Sequence, residues 1–277
     1  MKVLVTGANG YIGTGVVKQL LDDGCTVIAT DFSVDKVDAR AERISVNIFD
    51  IENPYDFLGK PDVLLHLAWR DGFQHDSINH LNDLPGHFNF IRRMIQTGVE
   101  KVCVLGSMHE IGFYEGSIDE KTPANPESLY GISKNALRKA VELETKKNKC
   151  IFQWIRGYYI VGNTAAGCSI FSKITAAERA GKEKFPFTTG MNQYDFIDYD
   201  LFCEQVAAVT EQNDINGIIN CCTGIPMRLG ERVEQFIKEN NYNIALEYGA
   251  FPDRPYDSKA VWGNSNRINE IMEKRKK

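Results

Sequence analysis

Two side chains in this sequence of 277 residues are spaced for proton transfer, Tyr130 and Lys134. Residues four apart share one face of a helix, so the phenol and the ammonium would lie side by side. A tyrosine is a poor acid or base at pH 7, because its ordinary pKa is about 10. A neighbouring lysine charge would favour the phenolate and bring that pKa toward neutrality. The pair therefore predicts acid–base chemistry, on a helix that follows a strand and a loop containing Ser107.

The first thirteen residues predict a binding site for a dinucleotide. A short apolar strand, Lys2–Thr6, runs into three glycines spaced three apart, and a helical apolar pattern follows them. This order would place backbone N–H groups and a helix N-terminus against a pyrophosphate. A side chain at the first or second glycine would block the phosphates, and one at the third would push the helix off the sheet. The expected contacts are Gly7, Gly10, Tyr11, Ile12 and Gly13.

A carboxylate at the end of the second predicted strand favours NAD over NADP. Asp31 lies 24 residues after Gly7, where it would accept hydrogen bonds from the adenosine ribose. It would repel the additional phosphate of NADP. Residues 32–36 contain no arginine, and Lys36 is the nearby cation.

Strand-like and helix-like segments alternate along the first part of the chain. This rhythm predicts an α/β fold with a doubly wound parallel sheet of the Rossmann type. We expect a dinucleotide-binding domain at 1–160, and at 161–277 a small substrate-binding cap interleaved with the last strands. The predicted strands are Lys2–Thr6, Thr26–Thr30, Ile44–Ile48, Val63–Ala68, Lys101–Leu105, Phe152–Arg156 and Ile218–Cys222. The predicted helices are Gly10–Asp22, Gly86–Gln96, Ser128–Lys147, Ser169–Ala180, Leu201–Thr210 and Glu231–Glu239.

With these motifs in register, the chain resembles the extended short-chain dehydrogenase/reductase family, also described as the NAD-dependent epimerase/dehydratase family. The segments that carry the resemblance are TGANGYIG, VCVLGSMHEIG, YGISK, RGYYIVG, YDFIDYD and FPDRPYD. Most members modify nucleotide-linked sugars. The resemblance implies that Tyr130 exchanges a proton with the substrate oxygen and Ser107 hydrogen-bonds the same oxygen. It also implies that Lys134 contacts the nicotinamide ribose and that hydride passes between the cofactor and a sugar carbon.

The resemblance implies further binding residues. Along the cofactor it adds Phe32, Asp50, Ile51, Leu67 and Ala68, with Trp69 standing where alanine is usual. His66 is interpreted as a packed strand histidine. On the substrate side it indicates Ser107, Met108, His109, Tyr159 and Arg254, the last as a diphosphate contact.

Three departures from the family pattern bear on which of the family's reactions and substrates we expect. Met108 and His109 stand where sugar dehydratases carry an Asp-Glu pair, which argues against elimination of water. Tyr159 replaces an asparagine and resembles the aromatic residue of some 4-keto sugar reductases. Tyr194 replaces an arginine, which leaves the identity of the nucleobase open.

Composition excludes several classes of partner. The net charge of −5 gives no reason to expect nucleic acid, and no run of 18 apolar residues is present to span a membrane. The seven cysteines lack metal-ligand spacing, so we expect no metal. Cys103 and Cys203 are interpreted as small apolar residues of the core, which indicates that the protein is in a reducing compartment. A strand at residue 2 leaves no room for a signal peptide, and we expect a cytoplasmic protein.

Three functions remain open. The first is an NAD-dependent oxidoreductase acting at C-4 of a nucleotide-linked 6-deoxyhexose, of the dTDP-6-deoxytalose 4-dehydrogenase type. The second is a nucleotide-sugar 4-epimerase with tightly bound NAD, and the third is a non-catalytic dinucleotide-binding regulator.

The resemblance also implies a homodimer built on the Tyr–Lys helix, to which Leu137, Ala140, Val141 and Leu143 would supply apolar surface.

Overall fold

The computed structural model describes residues 1–162, 169–252 and 257–276. Its strands in chain order are β1 (Lys2–Thr6), β2 (Thr26–Asp31), β3 (Glu42–Ser45), β4 (Val63–His66), β5 (Lys101–Ser107), β6 (Gly116–Ile118), β7 (Ile151–Gly157), β8 (Tyr159–Val161), β9 (Lys184–Pro186), β10 (Gln193–Asp198), β11 (Gly217–Cys221), β12 (Pro226–Arg228), β13 (Ala245–Glu247) and β14 (Ala260–Gly263). Its α-helices are α1 (Tyr11–Asp22), α2 (Pro54–Phe57), α3 (Asn79–Thr97), α4 (Leu129–Asn148), α5 (Ile170–Arg179), α6 (Tyr199–Glu211), α7 (Leu229–Glu239) and α8 (Asn266–Arg275).

Seven parallel strands form the central sheet, in the order β11-β7-β5-β4-β1-β2-β3. Alternate residues of each strand point to opposite faces, and both faces are buried. Val3 and Val5 pack with apolar residues of α1, α6 and α8, whereas Leu4 packs with those of α3 and α4. Helices thus cover both faces, which confirms the predicted doubly wound fold. The strand order reverses between β1 and β4, where sheets of this kind bind ligands at their carboxyl ends.

Short strands from distant parts of the chain build a second sheet, which we call the cap sheet, in the order β12-β10-β14-β6 with β8 paired to β10. A separate two-stranded sheet joins β9 and β13. The side chains of Phe171, Phe196 and Phe236 pack into one core beneath these strands. Since β6 joins the cap sheet and β11 joins the central sheet, the chain passes between the two sheets more than once. The domain boundary near residue 160 stays a prediction.

Several elements differ from the sequence-based expectation. The third strand is Glu42–Ser45, not Ile44–Ile48, because Ile48–Asp50 turns into a short 3-10 helix capped by the Asn47 side chain. The helix predicted from Gly86 begins at Asn79 and contains Pro85. Proline destabilises the interior of a helix, so the sequence around Pro85 does not predict the first turns of α3.

The region after residue 160 holds more strands than expected. The loops predicted around the helix at 169–180 contain β9 and β10, and the C-terminal segment forms α8. Strands of three or four residues show too little alternation to be recognised. The loop predicted at Tyr248–Asp257 includes residues outside the described ranges. In the part of the chain that the structure describes, no helix is long and apolar enough to cross a membrane.

The apolar residues of α4 are not all available to a partner. Leu137 and Val141 were expected to offer spare surface, but both are fully buried against α3 and the central sheet. Of the four residues named for this role, Leu143 is strongly exposed, at 69%, and Ala140 is partly exposed. That part of the expectation was wrong, because the inner face of α4 is needed for the chain's own core.

Candidate active site

The proton-transfer pair lies at the start of α4, opposite the carboxyl end of β5. Ser128 caps the helix by accepting the Gly131 N–H at 3.2 Å, which fixes its first turn. Ser107 ends β5, and its hydroxyl accepts the His109 N–H at 3.3 Å. The Ser107 side chain lies close enough to Tyr130 to lower the pKa of the phenol. The predicted residues Ser107, Tyr130 and Lys134 therefore meet at one edge of the sheet.

The protonation of this pair differs from the sequence-based expectation. Burial raises the pKa of Tyr130 to about 12, and the nearby Ser107 side chain only partly opposes this rise. Burial also lowers the pKa of Lys134 to about 7, against the attraction of Glu110. Lowering of the Tyr130 pKa by Lys134 was expected and is not found. The reason is positional: the Lys134 Nζ donates to the Leu105 carbonyl at 2.8 Å and lies 3.9 Å from the centre of the Trp69 ring.

All five histidines of the chain fall between residues 66 and 109, close to this pair. The rings of His75 and Tyr130 are stacked, with centroids 5.1 Å apart and planes 11° apart. His80 and His109 also contact the tyrosine ring, at 5.2 and 6.2 Å. His75 and His80 were not foreseen. The available signal was their place between the end of β4 and the first turn of α3, since residues that follow parallel strands gather at one edge.

His66 and His87 form a buried pair under the site. The His66 Nδ1 lies 2.9 Å from the Thr6 hydroxyl, and its Nε2 lies 2.9 Å from the His87 Nδ1. Burial lowers the pKa of His66 to about 3 and that of His87 to about 2, so both rings are neutral at pH 7. The interpretation of His66 as a packed strand histidine is confirmed.

The glycine turn leaves room for a pyrophosphate. Gly7 has a φ of +68°, and a Cβ there would lie 2.6 Å from the Ala68 nitrogen. A Cβ at Gly13 would lie 2.1 Å from the Gly7 oxygen. Gly10, in contrast, faces open space apart from that same oxygen, and as N-cap of α1 it offers no side chain to the free N–H groups. An uncapped helix N-terminus behind a turn that has glycine at both ends fits a dinucleotide.

The end of β2 lies beside that turn. Asp31 accepts the Asn9 N–H at 3.1 Å and the Phe32 N–H at 2.8 Å, which orients its carboxylate at the edge of the sheet. Phe32 is highly exposed and lines an open cleft of about 590 Å³ with Arg43. The fold thus adds a second cation near the predicted adenosine site, beyond Lys36.

The remaining predicted cofactor residues occupy the same edge. Leu67 and Ala68 follow β4, and the Ala68 backbone lies against Gly7. Asp50 is exposed at the end of the 3-10 helix and accepts from the Asn47 side chain at 2.8 Å, while Ile51 is buried. Tyr11 opens α1 beside Ile12, and its ring packs on that of Tyr199 with centroids 4.6 Å apart.

Aromatic rings line the other side of the pair. His109 lies 6.3 Å from Tyr159, which in turn lies 4.6 Å from Tyr194. Met108 is buried in the core beneath the cap sheet. The predicted substrate contacts Ser107, His109 and Tyr159 are thus near Tyr130, whereas Arg254 lies outside the described residues.

A buried charge cluster supports the loop after β5. Glu110 is fully buried and forms an ion pair with Arg156 at 2.7 Å, and its other oxygen accepts the Trp154 indole N–H at 2.7 Å. The Arg138 Nε lies 3.5 Å from the same carboxylate without a hydrogen bond. Arg156 also donates to the Asp119 carbonyl at 3.0 Å. The cluster ties the segment from Met108 to Asp119 to the central sheet.

Comparison with known proteins agrees with this geometry. Residues 3–222 match the model of the NAD-dependent epimerase/dehydratase family. The chain is 41% identical over 269 residues, 95% of its length and 99% of the relative's, to the dTDP-6-deoxy-L-talose 4-dehydrogenase (NAD⁺) of Aggregatibacter actinomycetemcomitans.

Solved structures share the fold at low identity. One is the UDP-N-acetylglucosamine 4-epimerase of Methanobrevibacter ruminantium, in complex with UDP-N-acetylmuramic acid: TM-score 0.85, 19% identity, covering 98% of this chain and 91% of that one. Another is the UDP-glucuronic acid 4-epimerase of Bacillus cereus with UDP-glucuronic acid and NAD: TM-score 0.79, 18% identity, covering 99% and 93%. With its glycine turn, its Ser–Tyr–Lys arrangement and these matches, the chain belongs to the NAD-dependent epimerase/dehydratase family.

Proposed function

We propose that this protein is an NAD-dependent oxidoreductase that acts on C-4 of a 6-deoxyhexose linked to a nucleoside diphosphate, as in the dTDP-6-deoxytalose 4-dehydrogenases. The observation that carries the proposal is that Ser107, at the end of β5, meets Tyr130 at the start of α4, with Lys134 one turn further along the same helix. The substrate class is supported by the relative that matches this chain almost from end to end.

Tyr130 and Ser107 have distinct tasks in this reaction. The pKa of Tyr130, about 12, keeps its phenol protonated at pH 7, ready to donate a proton to a substrate carbonyl oxygen during reduction. In the reverse direction the Tyr130 phenolate oxygen accepts the proton of the C-4 hydroxyl, so oxidation begins from the phenol that has lost its proton. Ser107 orients the substrate oxygen by a hydrogen bond. When bound, the nicotinamide cofactor supplies or accepts the hydride.

The aromatic rings favour a deoxygenated sugar. His109, Tyr159 and Tyr194 form a continuous wall of aromatic rings next to Tyr130, in which His109 meets the rings of Tyr130 and Tyr159 edge to face. The carbon atoms of such rings pack well on C–H groups and on a methyl group. We assign this wall to the 6-deoxy position of the sugar. The place of Arg254 in substrate binding stays a prediction.

The decisive experiment begins with native mass spectrometry of freshly purified protein, followed by titration with NADH and NADPH. An empty site that binds NADH reversibly, together with NAD⁺-dependent oxidation of dTDP-6-deoxy-L-talose, is the expected result. Retention of one NAD per chain with interconversion of C-4 epimers would identify a 4-epimerase instead. Binding of NADH with no turnover of any nucleotide sugar would favour a dinucleotide-binding regulator.

We also propose a homodimer formed through α3 and α4. On α4 the exposed residues Ile132, Ala136 and Leu143 follow one another at helical spacing, and Leu81 is exposed on the neighbouring helix. Light scattering should give twice the chain mass. The double variant Ile132→Glu/Leu143→Glu should give a monomer, whereas Ile225→Glu, a change at an exposed residue between β11 and β12, should remain dimeric.

The cysteines support a reducing compartment, and we propose the cytoplasm. Cys103, Cys203, Cys221 and Cys222 are buried with free thiols in the described part of the chain. Fractionation of the native cell, with this protein followed by antibody, tests the assignment.

A further inference from the structure

We infer that Trp69 is a positioning residue for the proposed reaction: its indole holds the side-chain nitrogen of Lys134 and links it, through His80, to the loop that covers Tyr130. The catalytic consequence of this inference rests on the proposed function, whereas the contacts are independent of it. They form a closed path from one member of the proton-transfer pair to the other.

The first step of this path is the contact between Lys134 and Trp69. The lysine side chain is 3% exposed, and its Nζ lies 3.9 Å from the centre of the indole ring. The same nitrogen donates to the Leu105 carbonyl at 2.8 Å. The face of a tryptophan attracts a cation, most strongly where water is excluded. The ring and the carbonyl together therefore fix where this nitrogen points.

The second step fixes the indole itself. Its ring is stacked on His87, with centroids 4.5 Å apart and planes 15° apart. Its N–H donates to the His80 Nδ1 at 3.0 Å, and the His80 Nε2 in turn donates to the Gln74 carbonyl at 2.9 Å. A phenylalanine at position 69 would keep the ring face but would lose the bond to His80.

The third step reaches Tyr130. Gln74 is followed by His75, whose carbonyl accepts the Tyr130 N–H at 2.9 Å and whose ring is stacked on the phenol. The Asp71 carboxylate holds this loop by accepting from Ser77 and Asn79, each at 2.7 Å. A change at Trp69 would therefore disturb both the lysine and the loop that packs on the tyrosine.

The titratable groups around the Lys134 nitrogen come from four elements. Tyr130 lies on its own helix, His66 ends β4, His80 and His87 lie on α3, and Glu110 follows β5. Glu110 is fully engaged with Arg156 and Trp154, and burial keeps His66 and His87 neutral. The lysine nitrogen lies 3.9 Å from the centre of the indole and 5.9 Å from the centre of the Tyr130 ring, so the indole is the nearer of the two rings.

A fluorescence titration tests the contact without substrate or cofactor. The emission of an indole changes when an amine 3.9 Å from its centre gains a proton, and burial lowers the pKa of Lys134 to about 7. We expect a transition between about pH 6 and 8. It should disappear in Lys134→Met and in Trp69→Phe, and it should persist in Trp262→Phe, which removes a partly exposed indole of β14. A transition that survives Trp69→Phe would overturn the inference.

Kinetics test the consequence for the reaction. We expect Trp69→Leu to lower kcat roughly tenfold with little change in KM. The pH limb, meaning the range of pH over which kcat rises or falls, should also shift, because the Lys134 nitrogen becomes accessible to water. Trp69→Phe should restore the pH limb, since a ring face returns. Trp262→Leu is the matched control, with the wild-type limb expected.

Two kinetic results would overturn the inference: a wild-type pH limb in Trp69→Leu, or equal losses in both Trp69 variants that follow their melting temperatures. If the wild-type protein turns over no nucleotide sugar, the proposed function fails, while the fluorescence transition still decides the contact.

Discussion

Arg156 donates two hydrogen bonds to one oxygen of Glu110, from Nε at 2.9 Å and from Nη2 at 2.7 Å. Both side chains are almost completely buried. A buried charge is tolerated only where it is paired and hydrogen-bonded. Glu110 is thus the carboxylate that balances Arg156 and the neighbouring Arg138 beneath the active-site loop.

The first prediction concerns this cluster. Glu110→Gln keeps the shape of the side chain but leaves Arg156 and Arg138 without a buried counter-charge. We expect a loss of about 3–5 kcal/mol in the free energy of unfolding, measured with urea. Glu231→Gln, which removes an exposed partner of Arg228, should change stability little. Equal stability of the Glu110 variant and the wild type would show that the cluster contributes nothing.

The second prediction concerns the phenol of Tyr130. In Tyr130→Phe the ring can still stack on His75, but the proton at the substrate oxygen has no donor. We expect kcat to fall by about 10²–10⁴-fold with an unchanged dissociation constant for NADH, measured by steady-state kinetics and by titration. Tyr242→Phe removes a hydroxyl that contacts Thr175 in the cap and serves as the control. Full activity in Tyr130→Phe would disprove its catalytic role.

The third prediction separates two glycines of the turn. A Cβ at Gly10 would meet only the Gly7 oxygen, at 3.2 Å, whereas a Cβ at Gly13 would lie 2.1 Å from that oxygen. Gly10→Ala should therefore fold with a melting temperature near that of the wild type yet lose NADH affinity, because its methyl group occupies the phosphate space. Gly13→Ala should lose thermal stability. NADH binding by Gly10→Ala at wild-type affinity would place the cofactor elsewhere.

The fourth prediction is a loss of stability in mild acid, which follows from the buried pair His66 and His87. Their pKa values, about 3 and about 2, lie below the ordinary value of 6.5, so the unfolded chain binds more protons between these limits. Stability therefore falls as the pH drops below 6.5, by up to about 1.4 kcal/mol per histidine and pH unit. Glu211 acts in the opposite direction, since burial raises its pKa to about 7.

Urea unfolding at pH 7, 6 and 5 measures this effect. We expect the urea midpoint of unfolding to decrease as the pH is lowered, and we expect a smaller decrease in His87→Gln. His75→Gln changes a partly exposed ring, and the decrease of the midpoint should be closer to that of the wild type. A midpoint that is constant from pH 7 to pH 5 would contradict the assignment of two neutral buried imidazoles.

Several features of this protein depend only on residues that are neighbours along the chain, and these could be predicted from the amino-acid sequence. The glycine turn, the spacing of Tyr130 and Lys134, and the rhythm of strands and helices up to β7 are local patterns. Their consequences follow from the geometry of a single turn, helix or strand. The doubly wound sheet and the edge at which Ser107 meets the pair were predictable for the same reason.

Other features depend on contacts between segments that are far apart in the chain, and these became visible in the folded structure. β6 joins the cap sheet beside β14, more than a hundred residues later, and no local pattern announces such a pairing. The burial of Leu137 and Val141, and the seating of Lys134 on Trp69 rather than against the phenol, follow from the packing of α4 on the sheet. The pKa directions at the site follow as well, because desolvation is a property of the folded environment and not of the sequence around a residue.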